Sequence, residues 1–268
     1  MKNTRKNIIF ISIDNLRADC IECFSNKGLL KKYNPDFSLL KTPTLNSLAK
    51  DGIFFENCFT ASSYTTASHA SILTGCYPIT TGVQEYFKHQ MKKDTIFQLL
   101  KRQYGDTYET FFCTDFPFIL GKHIGFDKAI DSYNVSDEMK IVDSIKKIPD
   151  NKNFLALFHF SNVHTPYGIS SLKKDRKEFY KKTKLLSKEF GIGFGDVENN
   201  IEWPENDRSF EENILRKKYH EAINRIYVKG DYQRLMEMYI EGVTYFDAHR
   251  LKNFIDALKK RVFIKKAS

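Results

Sequence analysis

The run Tyr64–Val83, Y-T-T-A-S-H-A-S-I-L-T-G-C-Y-P-I-T-T-G-V, groups hydroxyls and one histidine ahead of an apolar helical turn closed by Gly75 and Pro78. A reactive side chain at a helix N-terminus has this composition, because free backbone N–H groups there favour an anion. A Ser/Thr-rich loop with an N-capping serine has it too. A second chemical group is Asp14-Asn15, at the end of the apolar run I-I-F-I-S-I. A carboxylate at the C-terminal edge of a first strand stands where open α/β sheets place ligands; Asp-Asn is also ordinary turn chemistry. A third is His164, in S-N-V-H-T-P-Y after another apolar run, which reads equally as a loop histidine before a proline turn.

The elements that must position these groups follow from hydrophobic period. Asn7–Asp14, Ile53–Phe59, Thr107–Thr114 and Asn153–Phe160 are short β-branched or aromatic runs and read as strands. Thr42–Gly52 reads as a helix with an early Pro and Gly52 as its C-cap, and Ser68–Leu73 as the helix after the second strand. Asp94–Tyr104 is amphipathic, with Asp94 as the expected cap, and Ser136–Ile148 is a helix before Pro149. This alternation implies an α/β fold: a mostly parallel central sheet flanked by helices. Residues 1–268 read as one domain with its core over 5–170, a charged helical excursion over 171–231 and a long amphipathic helix over 232–260. An irregular piece, Gly191–Asp207, carries Trp203-Pro204.

The chain of 268 residues has a net charge of +9, from 42 Lys+Arg against 33 Asp+Glu. The lysines are interspersed with acids and accompany no nucleic-acid-binding motif, so a solvated surface explains them and a nucleic-acid partner is not expected. Five cysteines, only Cys20 and Cys23 close together, complete no zinc site and imply reduced thiols. Ile8–Ile13 is too short for a signal segment, and no stretch reaches transmembrane length. The expectation is a cytoplasmic protein without a transmembrane segment.

Four pieces in order resemble the sulfatase branch of the alkaline-phosphatase superfamily: I-F-I-S-I-D-N-L-R-A-D (Ile9–Asp19), T-P-T-L-N-S-L-A-K-D-G-I-F-F-E-N (Thr42–Asn57), S-H-A-S-I-L-T-G-C-Y-P (Ser68–Pro78) and H-F-S-N-V-H-T-P-Y (His159–Tyr167). Tyr239–Leu258 resembles the later family helix with its Tyr/Asp pair. The resemblance implies an alkaline-phosphatase-like fold and a divalent metal ion (Ca, Mg, Mn or Zn) held by Asp14, Asn15 and Thr65. Thr65 falls on the nucleophile position, where sulfatases carry a Cys or Ser converted to formylglycine in C/S-x-P-S-R. Here the piece is T-T-A-S-H, so no formylglycine is expected, and a threonine resembles the phosphodiesterase and phosphotransferase relatives. His164 matches the histidine that meets the substrate anion, while His69 and Lys122 (in L-G-K-H-I-G-F-D) fall on substrate-binding positions. His159 reads as packed at the strand end.

The family's S-D-H-G-like motif, which supplies further metal ligands, is not present in this sequence. Its absence implies a truncated member with a sheet incomplete at its C-terminal side, a missing half supplied by another chain, or a lost catalytic role. An incomplete sheet would leave an edge for a partner or oligomer to cover. Two functions stay open: a metal-dependent hydrolase or transferase acting on a sulfuric or phosphoric ester through Thr65, and a catalytically inactive binding or interaction protein.

Overall fold

The computed structural model describes residues 6–34, 38–85, 89–165, 167, 176–193 and 208–262. In chain order these form β1 (Ile8–Ile13), a 3-10 turn (Ala18–Cys20), α1 (Gly28–Tyr33), α2 (Pro43–Asp51), α3 (Thr65–Thr74), α4 (Pro78–Thr81) and α5 (Ile96–Tyr104). There follow a second 3-10 turn (Gly105–Thr107), β2 (Tyr108–Thr114), β3 (Ser132–Val135), α6 (Glu138–Ile145) and β4 (Asn153–Phe160). The last elements are α7 (Arg176–Glu189), α8 (Arg208–Val228), α9 (Tyr232–Phe246), a π turn (Asp247–Leu251) and α10 (Lys252–Val262). Most of the Gly191–Asp207 piece, Trp203 included, lies outside the described residues. No described helix is long and apolar enough to cross a membrane.

The chain divides into two compact units, one of residues 1–14, 55–161 and 253–268, the other of 15–54 and 162–252. The first holds an all-parallel sheet in the order β1-β4-β2-β3. Central strand β4 is buried along its whole length because both faces are covered, which is why it reads as a continuous apolar run. On one face Leu155 and Leu157 join Ala70, Leu73, Phe97, Phe112 and Phe126 in the main core. On the other, the rings of Phe158 and Phe160 meet Phe254 at 4.6 and 5.3 Å. Each large side chain so buried contributes about 2 kcal/mol through removal from water.

Two expectations are corrected and one element is added. Ile53–Phe59 forms no strand: Ile53, Phe55 and Phe59 are 83%, 73% and 92% exposed, and the run has no ladder partner among the described residues. A strand exists only by pairing, and a suitable composition cannot supply the partner. In α5 the cap is Thr95, not Asp94; its side chain accepts from Gln98 N–H while Gln98 reciprocates. Asp94 instead accepts from Gln98 Nε2 at 3.1 Å and pairs with Arg102. β3 is an element that hydrophobic period misses, since S-Y-N-V is short and half polar; it is fixed by parallel pairing of Phe111–Thr114 with Ser132–Val135.

The second unit uses the Tyr/Asp pair of its long helix as two anchors. The Tyr239 hydroxyl donates to the Asn15 carbonyl oxygen at 2.6 Å and accepts from the Arg17 N–H at 2.8 Å, tying down the loop that follows β1. The Asp247 carboxylate, fully buried, accepts from the N–H groups of Thr44 and Leu45, both at 2.9 Å, and so caps α2 from a distant part of the chain. Thr42 itself makes no side-chain cap. Burial pushes the Asp247 carboxyl above the usual carboxylate range, and those two N–H groups oppose the rise. Asp247→Ala leaves two helix N–H groups without partners, so the urea unfolding midpoint is expected to drop by the equivalent of about 2 kcal/mol. An unchanged midpoint would show that water satisfies those donors.

Candidate active site at the C-terminal end of the parallel sheet

β1 delivers Asp14 to the C-terminal edge of the sheet, where its N–H continues the ladder to the Phe160 carbonyl at 2.9 Å. α3 delivers Thr65 as the first residue of a ten-residue helix that ends on Gly75 in the left-handed region, at φ 68. Tyr64, the residue before it, makes no side-chain hydrogen bond to cap the first turn of α3. The two elements bring together the residues that matter most for the chemistry: the Thr65 hydroxyl lies 3.4 and 3.3 Å from the two Asp14 carboxylate oxygens.

Beneath them runs a polar row set by strand register. Ser12 on β1 pairs with His159 on β4, and His159 pairs with Thr114 on β2. His69 of α3 closes over the row. Its Nδ1 faces the Thr65 carbonyl at 2.8 Å and its Nε2 the Ser12 hydroxyl at 2.9 Å. Burial pushes His69 down to about 4, with nearby His159 acting in the same direction and the Thr65 carbonyl and Asp14 opposing it. A neutral ring has one proton, and a carbonyl can only accept; Nδ1 therefore carries the proton and Nε2 accepts from Ser12. The expectation of a substrate contact at His69 meets a different geometry, since both ring nitrogens are used inside the protein and the residue is 5% exposed.

The other expected residues are more dispersed. Lys122 is exposed on the turn after Leu120, with its ammonium 6.0 Å from the Tyr133 ring centre, and no hydrogen bond among the described residues joins it to Asp14 or Thr65. Asn15 and His164 belong to the second unit. Asn15 takes φ 62, a left-handed conformation that asparagine tolerates better than most residues. His164 Nδ1 donates to the Thr165 carbonyl at 2.6 Å.

Ser12 and Thr114 are members that sequence reasoning missed, and His159 it read only as packed at the strand end. A signal for them exists: the runs I-S-I-D, F-C-T-D and F-H-F-S each interrupt an apolar strand with a polar residue near its C-terminal end. Only the register shows that the three polar residues share one row.

The donor set bears on whether a divalent ion suits the site. Asp14 and Thr65 offer oxygen atoms, the ligands of hard cations, but no three His, Cys, Asp or Glu side chains converge to hold a metal among the described residues. Such a set fits a largely hydrated ion of the magnesium type, bound through one or two carboxylates, water and substrate oxygens. It does not form a preformed cage.

The sulfatase family model matches residues 6–262. An arylsulfatase of Clostridium perfringens is 37% identical over 71 residues, 26% of this chain and 12% of the relative. An ulvan-active sulfatase of Formosa agariphila is 38% identical over 80 residues, 30% of this chain and 14% of the relative. A solved complex of a protein with its substrate D-glucosamine-2-N,6-O-disulfate superposes with a TM-score of 0.56 at 17% identity, covering 95% of this chain and 63% of that one, and is similar in fold. The matched parts thus span less than two thirds of these relatives. With a family match over nearly its whole length and a parallel sheet that carries Asp14 at its C-terminal edge, this chain belongs to the sulfatase family.

Proposed function

We propose that the protein cleaves or transfers a sulfuric or phosphoric ester with Thr65 as nucleophile. The observation that carries this reading is the Thr65 hydroxyl at the start of α3, 3.3 and 3.4 Å from the carboxylate oxygens of Asp14. Asp14 orients the hydroxyl and accepts its hydrogen bond, so the oxygen's lone pairs face away from the carboxylate. The uncapped first turn of α3 offers N–H groups to the non-bridging oxygens of an ester anion, and the helix dipole has the matching sign. As the Thr65 proton passes to Asp14, the Thr65 oxygen bonds to sulfur or phosphorus in line while the bond to the ester oxygen breaks, that oxygen leaving as the alcohol with a proton taken up from His164 or solvent. Water then attacks the same atom, releasing the anion and restoring the Thr65 hydroxyl. A divalent ion held by Asp14 and Thr65 would supply charge neutralisation and would lower the cost of ionising the hydroxyl. The parts assigned to Asn15 as a further oxygen donor, to His164 in protonating the ester oxygen and to Lys122 in holding the anion rest on their motifs.

The test is hydrolysis of 4-nitrophenyl phosphate and 4-nitrophenyl sulfate by the intact protein. One of the two is expected to be turned over with added Mg2+ or Mn2+, to fall to the uncatalysed rate with EDTA, and to recover when the ion is restored. Because no three metal-ligating side chains converge among the described residues, a second reading is a catalytically silent anion-binding protein. Vanadate binding without turnover of either ester, at any added ion, would favour it.

A further inference from the structure

His159 has the one buried side-chain nitrogen of the polar row without a hydrogen-bond partner. Its side chain is wholly buried, and its Nε2 points to the Asp14 carboxylate, 3.7 Å from Oδ2. The ring cannot easily turn elsewhere. His69 packs edge-on at 5.1 Å and Phe116 lies at 5.7 Å, while Nδ1 sits 3.2 Å from the Thr114 hydroxyl. That hydroxyl already accepts from the Phe116 N–H at 2.9 Å, so its own proton is available to Nδ1. Nε2 is then the protonated nitrogen, facing a carboxylate that can only accept. A merely packed core histidine would have both nitrogens satisfied; this one has one satisfied and the other aimed at the residue beside the nucleophile.

We propose that His159 is a positioning residue for Asp14, its Nε2–H holding carboxylate oxygen Oδ2 so that the remaining lone pairs stay directed at Thr65. This rests on the reading of Thr65 as the nucleophile. The Asp14 carboxylate lies 3.3 and 3.4 Å from the Thr65 hydroxyl and 3.7 Å from His159 Nε2, each longer than a charge-assisted hydrogen bond. Contacts of this kind shorten when a site takes up its substrate. Closing the last gap makes a charge-assisted bond of about 2.8 Å, and partners that orient a reactive or ligating group in this way contribute roughly 10–100-fold to activity or affinity.

Two variants separate positioning from packing. His159→Leu fills the space without a donor, whereas the side-chain amide of His159→Gln places an N–H near the Nε2 position. With whichever nitrophenyl ester the wild type turns over, the leucine variant is expected to lose about 10–100-fold in kcat with KM within about threefold, and glutamine to restore kcat to within about threefold. The leucine variant removes the unpartnered N–H but also the Nδ1 that accepts from Thr114, so its melting temperature is expected to stay within a few degrees of the wild type. Leucine retaining full kcat, or glutamine failing to restore it, overturns the proposal. So does a parallel fall of kcat and melting temperature in both variants.

A second readout needs no turnover. Two-bond 1H–15N correlation spectra of the wild type are expected to show the His159 proton on Nε2, with a nitrogen shift that moves on Asp14→Asn. A proton on Nδ1, or a signal indifferent to Asp14→Asn, overturns the positioning role. If the wild type hydrolyses neither ester, the ester-transfer reading fails, while the spectra still decide whether His159 holds Asp14.

Discussion

Thr65→Ala is expected to reduce turnover by at least about a thousandfold, with KM little changed, in the nitrophenyl ester assay. The expectation is this large because the substitution removes the attacking atom and spares the scaffold. Thr65 contributes to folding mainly through its backbone: its carbonyl accepts from His69 Nδ1 at 2.8 Å, and alanine keeps that carbonyl. Alanine is also at least as good as threonine in a helix, so α3 should be retained. Thr65→Ser keeps the hydroxyl beside Asp14 and should retain activity to within about tenfold, since only a methyl group is lost. Intact-protein mass spectrometry after mixing with ester should show a sulfuryl or phosphoryl adduct on the wild type and none on Thr65→Ala. Activity that survives in Thr65→Ala would sink the nucleophile assignment whatever the substrate.

Stability is expected to fall steeply as pH drops from about 6.5 to about 4, and His69 accounts for the fall. Its native value is pushed down to about 4 by burial, with His159 adding to the effect, against 6.5 in an exposed histidine. Between those values the unfolded chain binds a proton that native His69 refuses, so stability rises with pH through the window and is lost on acidification. The difference amounts to about 3 kcal/mol, complete near pH 4 and absent above pH 7. Urea unfolding at pH 7.0, 5.5 and 4.5 measures the slope, and comparison with His69→Gln isolates this histidine from the others. Equal slopes in the two proteins would mean that His69 is charged in the native state. Protonation would also force Nε2 to become a donor and break the acceptor role that it plays toward Ser12.

Much of the scaffold is legible from local pattern. The β-branched run of β1 and the aromatic runs of β2 and β4 have few alternatives, and the placement of Asp14 at the end of β1 follows once a parallel sheet is assumed; Thr65 is placed by the start of α3, not by a strand. Pattern fails where structure depends on a partner. Ile53–Phe59 has strand composition and no strand beside it, whereas Ser132–Val135 has weak composition and a good neighbour in β2. At the α5 start, Asp94 and Thr95 both have capping side chains; the reciprocal Gln98 selects Thr95. The polar row is the clearest case. Ser12, His159 and Thr114 are 147 and 45 residues apart along the chain, taken from their numbers, and become neighbours only through register. His69 Nε2 faces the Ser12 hydroxyl of that row, a contact no local pattern announces.

Asn15 occupies the left-handed region at φ 62, and its carbonyl is held there by Tyr239. Few side chains tolerate that conformation, with glycine, asparagine and aspartate the least strained. The backbone therefore acts as a filter on mutation at this position. Codons for asparagine and aspartate differ by a single base, and so do codons for aspartate and glycine. A lineage can thus exchange an amide, a carboxylate and a bare backbone next to Asp14 in single steps, each with little conformational penalty. The backbone at this position thus admits a change of charge beside Asp14 without a change in the shape of the loop.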